Sequence, residues 1–397
     1  MFEADILKQI TRENGTPVYV YDQQKILENI GYFRRIRYRK LKIYFAAMAN
    51  SNIELLKILR CNGIGVLAPS VKLLYTARKA GYHGEITYAG TNLSREDIKH
   101  IIKNDVIFNA DSPSQLELYC FEGGKKAGLR INYDCDDTVK QDLQFLGESG
   151  RLGMREREIP QAIRIARKYG VTIDGVHVSF GTNIKDVNVF LHAVDLFFEF
   201  IKKIIHPQVP SLRYIDLGGG VGAKETGDKS FDYEVLGKGL KQRVVGLNRD
   251  LRKEFELAIE PGRALLGDTA VFLTKVTDIK HREKKTLIGT DASITTFPMP
   301  ILSGDPYHEV KVLGKEDETA VGTLSDICGK TAYARDYLAK DIYLPPVEVG
   351  DILVLPNAGS YCFGMMSEFL GMLKPPEVLI SDGSYRIIRE GERAEII

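Results

Sequence analysis

Between Lys42 and Gly262 the chain repeats one pattern of apolar and polar positions. Short apolar runs, many rich in Val, Ile and Tyr, alternate with longer segments whose apolar residues recur at helical spacing. Eight runs read as strands: IYFAAM, IGVLA, EITYAG, VIFNAD, GLRINY, IDGVHVSF, LRYIDLG and FELAIEP. Between them NIELLKILRCNG, SVKLLYTARKAG, SREDIKHIIKND, SPSQLELYCFEGGKKAG and DVNVFLHAVDLFFEFIKKI read as helices, several opening on a Ser or Asp cap and stopping at Gly. Such alternation requires parallel strands joined by right-handed crossovers. Eight units predict a (β/α)8 barrel rather than an open doubly wound sheet.

After Arg263 the texture changes. AVFLTKVTDIKHREKKTLIGTDAS, HEVKVLG, DIYLPPVEVGDILVLPNAGSY and EVLISDGSYRIIREGE are strand-like, with Gly, Asp and Pro turns, and predict an antiparallel β-domain. The early GTPVYVYD is also strand-like and is expected to pair with that domain. The expected organisation is a barrel over residues 24–265 and a β-domain built from 1–23 and 266–397.

Composition narrows the function classes. A chain of 397 residues fits a large domain plus a second one, and 44% hydrophobic with 27% charged residues is ordinary for a soluble globular protein. A formal net charge of +1 argues against a dedicated nucleic-acid partner. Seven histidines without HExxH-like spacing lead to no expected metal site. Five separated cysteines (Cys61, Cys120, Cys135, Cys328, Cys362) without C-x-x-C suggest reduced thiols and a cytoplasmic location. The start MFEADILKQITRENG has no basic n-region, and no run approaches the roughly 20 apolar residues of a membrane span, so neither a signal peptide nor a membrane partner is expected. The run Lys280–Lys285 reads as a solvated hairpin tip, and FFEFIKKI as the inner face of a barrel helix.

In such a barrel, chemistry sits at the C-terminal ends of the strands, with phosphate commonly held after strands seven and eight. Those loops are DLGGGVG (Asp216–Gly222) and EPGR (Glu260–Arg263). Glycines let backbone N–H groups approach an anion, and Arg263 adds a guanidinium fork; the bland alternative is a tight turn. GIGVLA (Gly63–Ala68) is a loose dinucleotide fingerprint, but it sits in a strand instead of opening a helix.

The landmarks GTPVYVYD, YFAAMANSN, LRIN, HVSFGTN, LGGGVG, EPGR, DYLAKDIYLP and NAGSY together resemble the fold-type III pyridoxal-phosphate decarboxylases, over nearly the whole chain. These include the diaminopimelate and ornithine decarboxylases and enzymes acting on carrier-tethered aminoacyl groups. The resemblance implies an alanine racemase/ornithine decarboxylase-like fold, pyridoxal 5'-phosphate as cofactor and a homodimer with shared active sites. It implies that Gly218, Gly219, Gly220, Gly262, Arg263 and Tyr361 hold the phosphate, and that Glu260 binds the pyridine nitrogen. It puts Cys328, with Ser325 as the alternative, in the place of the proton donor, and Asp336 facing the substrate across the dimer.

The departures are as informative. The lysine that holds the cofactor covalently falls on Met48, and two acidic positions fall on Leu67 and Leu73, against which Met48 is expected to pack. The ring-stacking histidine falls on Ser179, with His177 two residues earlier on the same side of a strand. An arginine of the diaminopimelate enzymes is missing from TTFPMPILSGDPYH, so diaminopimelate is not expected as substrate. Three readings follow. The chain is a divergent decarboxylase of an amino acid or carrier-tethered aminoacyl group that binds the cofactor noncovalently. Alternatively it is a pseudoenzyme that completes or regulates an active paralogue as a heterodimer, or a barrel for another phosphorylated ligand.

Overall fold

The computed structural model describes residues 2–134, 145–223, 231–298, 309–315 and 322–394. Two compact units emerge, Asn29–Leu265 and Met1–Glu28 with Leu266–Ile397. Helix α1 (Ala4–Asn14), strand β1 (Val18–Asp22) and helix α2 (Gln23–Arg34) open the chain.

The unit Asn29–Leu265 is a closed barrel of eight parallel strands in sequence order. They are β2 (Leu41–Ala46), β3 (Gly65–Leu67), β4 (Ile86–Tyr88), β5 (Ile107–Ala110), β6 (Lys126–Ile131), β7 (Thr172–Val178), β8 (Tyr214–Asp216) and β9 (Glu256–Ile259). All eight predicted runs are strands. The crossover helices are α3 (Ile53–Cys61), α4 (Val71–Lys79), α5 (Arg95–Lys103), α6 (Pro113–Phe121), α7 (Ile159–Tyr169), α8 (Val187–Phe200) and α9 (Tyr233–Leu251). Their starts follow from short polar side chains. Asn52, Ser70, Ser94, Ser112 and Asp186 each accept a first-turn N–H, and Ser94 with Asp97 closes a reciprocal box; each cap stabilises its helix by about 1 kcal/mol. Phe197, Phe198, Ile201 and Ile205, in and after α8, are buried, as the reading of FFEFIKKI anticipated.

Two tyrosines fill the barrel floor. Tyr214 donates to Asn109 Oδ1 (2.8 Å), and Asn109 donates to the Thr87 hydroxyl (3.2 Å). Neighbouring strands make room with glycine. A Cβ on Gly175 would sit 1.9 Å from the Tyr214 ring, and one on Gly65 would sit 2.5 Å from the Tyr44 ring. Gly65 of the GIGVLA run therefore serves packing inside a strand.

The other unit carries a nine-stranded sheet. Besides β1 it holds β10 (Ala270–His281), β11 (Thr286–Thr290), β12 (Lys311–Val312), β13 (Thr323–Cys328), β14 (Tyr337–Leu344), β15 (Ile352–Leu355), β16 (Glu377–Ser381) and β17 (Ser384–Arg389). Strand β1 lies between β10 and β16, so GTPVYVYD does join this sheet. The sheet is mixed rather than purely antiparallel: β1 pairs parallel with β16, and β11 with β13. Both parallel pairs join strands too far apart in sequence for a hairpin, a relation that local patterning does not encode. Leu7 and Ile10 of α1 close the core over Val18, Val20, Val271 and Val378. The basic run at the β10–β11 turn is not wholly solvated, because Lys285 reaches back to buried Asp326 (2.9 Å) and to Asp341 (2.7 Å). Among the described residues no helix is long and apolar enough to cross a membrane.

Candidate active site

Strand register sets the site. Arg130 on β6 is level with His177 on β7, and His177 with Asp216 on β8. Asp111 follows β5 and Glu260 follows β9, at the same C-terminal end of the barrel. All five side chains are buried. Arg130 Nη1 lies 3.5 Å from Asp111 Oδ1, which also accepts the Gly153 N–H at 3.0 Å. His177 Nε2 lies 3.0 Å from Glu260 Oε2, and Asp216 Oδ1 accepts the Gly218 N–H at 2.9 Å. His177, Asp216 and Glu260 each bring a ligand-type atom within 4.8 Å of the others.

Burial dominates the titration of this cluster. It pushes Glu260 up to about 7 and carries Asp216 well above the carboxylate range, with Glu260 adding to the effect. It pushes His177 down to about 4. The imidazole is therefore neutral near pH 7, and its contact with Glu260 is an N–H hydrogen bond rather than an ion pair. His177 Nδ1 and Glu260 Oε1 are buried with no hydrogen-bond partner.

The glycine turn packs beside this cluster. Gly218 and Gly220 have φ of +63° and +98°, in the left-handed region that disfavours other residues. A Cβ on Gly218 would meet Val178 O at 2.1 Å, whereas one on Gly219 would meet only Glu260 O, at 3.0 Å. Glu260 N–H donates to Gly218 O at 2.7 Å, tying the strand-eight loop to the strand-seven loop. Gly262 is buried, Arg263 opens the short helix α10 (Arg263–Leu266), and Ser179 follows β7 half-buried.

The opposite side of the barrel is apolar. Ala46, Leu67 and Ala89, on or just after β2, β3 and β4, form one buried cluster. Met48 falls in the turn after β2 and is 39% exposed, so the expected packing against Leu67 and Leu73 is not what seals this layer. Ala46 takes the inward place on β2, and the chain turns before residue 48. The ANSN that follows is structural: Asn50 accepts from Asn52 N–H (3.0 Å), and Asn52 caps α3.

In the β-unit, Cys328 ends β13 half-buried, and burial raises its thiol. Ser325 is buried and donates to Thr323 O at 2.9 Å. Asp336 is held by its own chain. Its buried carboxylate accepts Ile294 N–H (2.8 Å), Thr331 N–H (3.0 Å) and the Thr331 hydroxyl. It is turned into its own loop, because the segment Gly329–Asp336 folds around it; a Cβ on Gly329 would lie 2.1 Å from it. Tyr361 sits in a turn at φ +59°. Of TTFPMPILSGDPYH, residues 299–308 lie outside the described residues, as does Cys135.

A parallel barrel with a second β-unit, a buried acid–histidine cluster and a glycine turn after strand seven defines a barrel of the phosphate-cofactor type. The family model for the pyridoxal-dependent decarboxylases, pyridoxal binding domain, matches residues 24–267, and the chain belongs to that family. It is 31% identical to the diaminopimelate decarboxylase of Methanothermobacter thermautotrophicus, over 97% of this chain and 91% of that one. It is 30% identical to that of Archaeoglobus fulgidus, over 97% and 92%. The crystal structure of Helicobacter pylori diaminopimelate decarboxylase complexed with L-lysine superposes with a TM-score of 0.88 at 25% identity, covering 98% of this chain and 97% of that one. Pyridoxal phosphate is the cofactor of the family.

The residues present fit it. Glu260 Oε1 is a buried acceptor without a donor, as a protonated pyridine nitrogen requires, and Gly219 leaves open the space that a side chain would fill. Sequence reasoning missed Asp111 and Arg130 as site residues and gave Asp216 no role beyond opening a loop. The level register of β5 to β8, which brings them together, has no local signature.

Proposed function

We propose that this chain is a pyridoxal-phosphate-dependent decarboxylase of an amino acid or a carrier-tethered aminoacyl group that holds its cofactor noncovalently. The observation carrying this reading is the buried Glu260 carboxylate with its undonated Oε1, set against the glycine turn by the Glu260–Gly218 hydrogen bond. When bound, the cofactor supplies the sink for the electron pair left as carbon dioxide departs. Glu260 would hold the pyridine nitrogen in its protonated form, and Gly219, Gly220, Gly262 and Arg263 would hold the phosphate. His177 orients Glu260 through Nε2. Met48 offers a thioether where the resemblance read from the sequence places an amine, so loading and release proceed without a protein amine at this position.

Met48 also favours a second reading, in which this chain is the regulatory or partner subunit of an active paralogue in a heterodimer. One experiment separates them. One portion of purified protein is brought to dialysis equilibrium with pyridoxal phosphate and reduced with borohydride. Carbon dioxide release is followed in a second, unreduced portion kept in pyridoxal phosphate, with meso-diaminopimelate, lysine, ornithine and arginine. Reversible loading, no adduct at residue 48 and slow release from an amine substrate are expected. Failure to bind cofactor at equilibrium overturns the proposal. Retention without release from any substrate, with stimulation of an active paralogue, selects the partner reading.

A further inference from the structure

The buried end of the barrel holds more acid than base. Asp111 is matched by Arg130, whose guanidinium it faces. His177 is neutral. Asp216 and Glu260 are left to each other, both buried and with carboxylate oxygens within 4.8 Å. Two carboxylates in that position would leave two uncompensated negative charges out of water, which is costly, and like charges in contact cannot both ionise at ordinary pH.

Asp216 also occupies a mechanical joint. Its Oδ1 accepts the Gly218 N–H, and Gly218 O accepts the Glu260 N–H. Gly218 cannot relax to avoid this, since its backbone is in the left-handed region and has Val178 O against it. One residue therefore touches both the glycine turn and the acid that follows strand eight.

We propose that Asp216 is a positioning residue that stays protonated: its carboxylic acid donates to Glu260 and accepts from Gly218, so that Glu260 carries the only free charge and faces the pyridine nitrogen. This rests on the cofactor reading above for its purpose, though not for its protonation. Every other group around Asp216 is consistent with a proton there. Tyr44 and Tyr214 are raised by burial, His177 is neutral, and Arg130 is engaged by Asp111. Removing the proton would set two anions against each other; removing the side chain would free Gly218 N–H in a buried place.

The test uses Asp216→Asn and Asp216→Ala. An asparagine reproduces a protonated aspartate, with an N–H to give Glu260 and an oxygen to accept from Gly218 N–H; alanine reproduces neither. In the cofactor-free protein at pH 8, infrared difference spectra of wild type against Asp216→Asn are expected to show a protonated carboxylic acid band that only the wild type has. Asp216→Asn is expected to melt as the wild type does from pH 6 to 8, and Asp216→Ala to melt lower. With pyridoxal phosphate, Asp216→Asn is expected to bind within about threefold of wild type, and Asp216→Ala at least about tenfold more weakly (about 1.4 kcal/mol). Absence of the acid band, or an Asp216→Asn variant as weak as Asp216→Ala, overturns the inference. A wild type that shows the band and binds no cofactor leaves the protonation standing and defeats the functional reading instead.

Discussion

His177 Nε2 and Glu260 Oε2 lie 3.0 Å apart, both side chains buried, on strand six of the barrel and just after strand eight. Because burial acts on them in opposite senses, the pair is held by a neutral imidazole and an acid whose titration falls near neutrality. The charged form of Glu260 therefore costs stability in this place.

The pH dependence follows with a definite sign. A carboxyl raised from its unfolded value to about 7 contributes stability that is complete below the unfolded pKa and is lost as pH rises through about 7. Glu260→Gln removes that loss while keeping an acceptor for His177. The variant is expected to match wild type near pH 4.5 and to exceed it above pH 7, by about 1–3 kcal/mol. The variant is also expected to bind pyridoxal phosphate more weakly. Urea unfolding at pH 5 and pH 8 checks it; a difference that does not grow with pH counts against a raised Glu260.

The three consecutive glycines are not equivalent. Gly218→Ala places a Cβ 2.1 Å from Val178 O in a left-handed backbone, so loss of soluble protein or a large drop in melting temperature is expected. Gly219→Val meets a single carbonyl at 3.0 Å and is expected to fold, with pyridoxal phosphate affinity reduced about tenfold or more because the side chain enters the cradle. Equilibrium dialysis of the folded variant decides; unchanged affinity would remove the turn from the phosphate site.

The barrel floor gives a coupling prediction. Gly175→Ala drives a methyl to 1.9 Å from the Tyr214 ring, and overpacking of this kind costs about 1–3 kcal/mol or more. Tyr214→Leu removes the ring but leaves Asn109 Oδ1 without its donor, so it is destabilising alone. The double variant is expected to be more stable than the two single effects sum to, as contacting sites couple. Additivity would mean that the ring does not fill the space glycine leaves.

Much of this architecture was legible in the chain. Eight apolar runs became eight strands because a parallel barrel buries both faces and leaves a continuous apolar signal in each. DLGGGVG and EPGR were legible because glycine and proline mark backbone needs directly. Asp111 and Arg130 were not, since only the register of β5 with β6 makes one a partner of the other. The surroundings of Asp336 were not legible either, because a motif match places a residue without saying which way its carboxylate turns. Here the loop that follows Cys328 closes on it.

Met48 poses the last test. Leu67 is buried between Ala46 and Ala89, so Leu67→Asp alone puts a carboxylate into an apolar cluster and is expected to destabilise the barrel by several kcal/mol. Met48→Lys alone is expected to be mild, because residue 48 is 39% exposed and its ammonium reaches water. That same exposure keeps the amine protonated, and a protonated amine does not attack an aldehyde. Met48→Lys alone should therefore give a borohydride-trapped adduct only slowly and little decarboxylation. Adding Leu67→Asp and Leu73→Glu should recover stability relative to Leu67→Asp alone by more than additivity, since neighbouring opposite charges couple, while holding the amine still more firmly protonated. Thermal melts, adduct mass and carbon dioxide release across the variants measure all three. A fast enzyme from Met48→Lys alone would show that the apolar layer imposes no barrier, and that the missing amine was the site's single deficit.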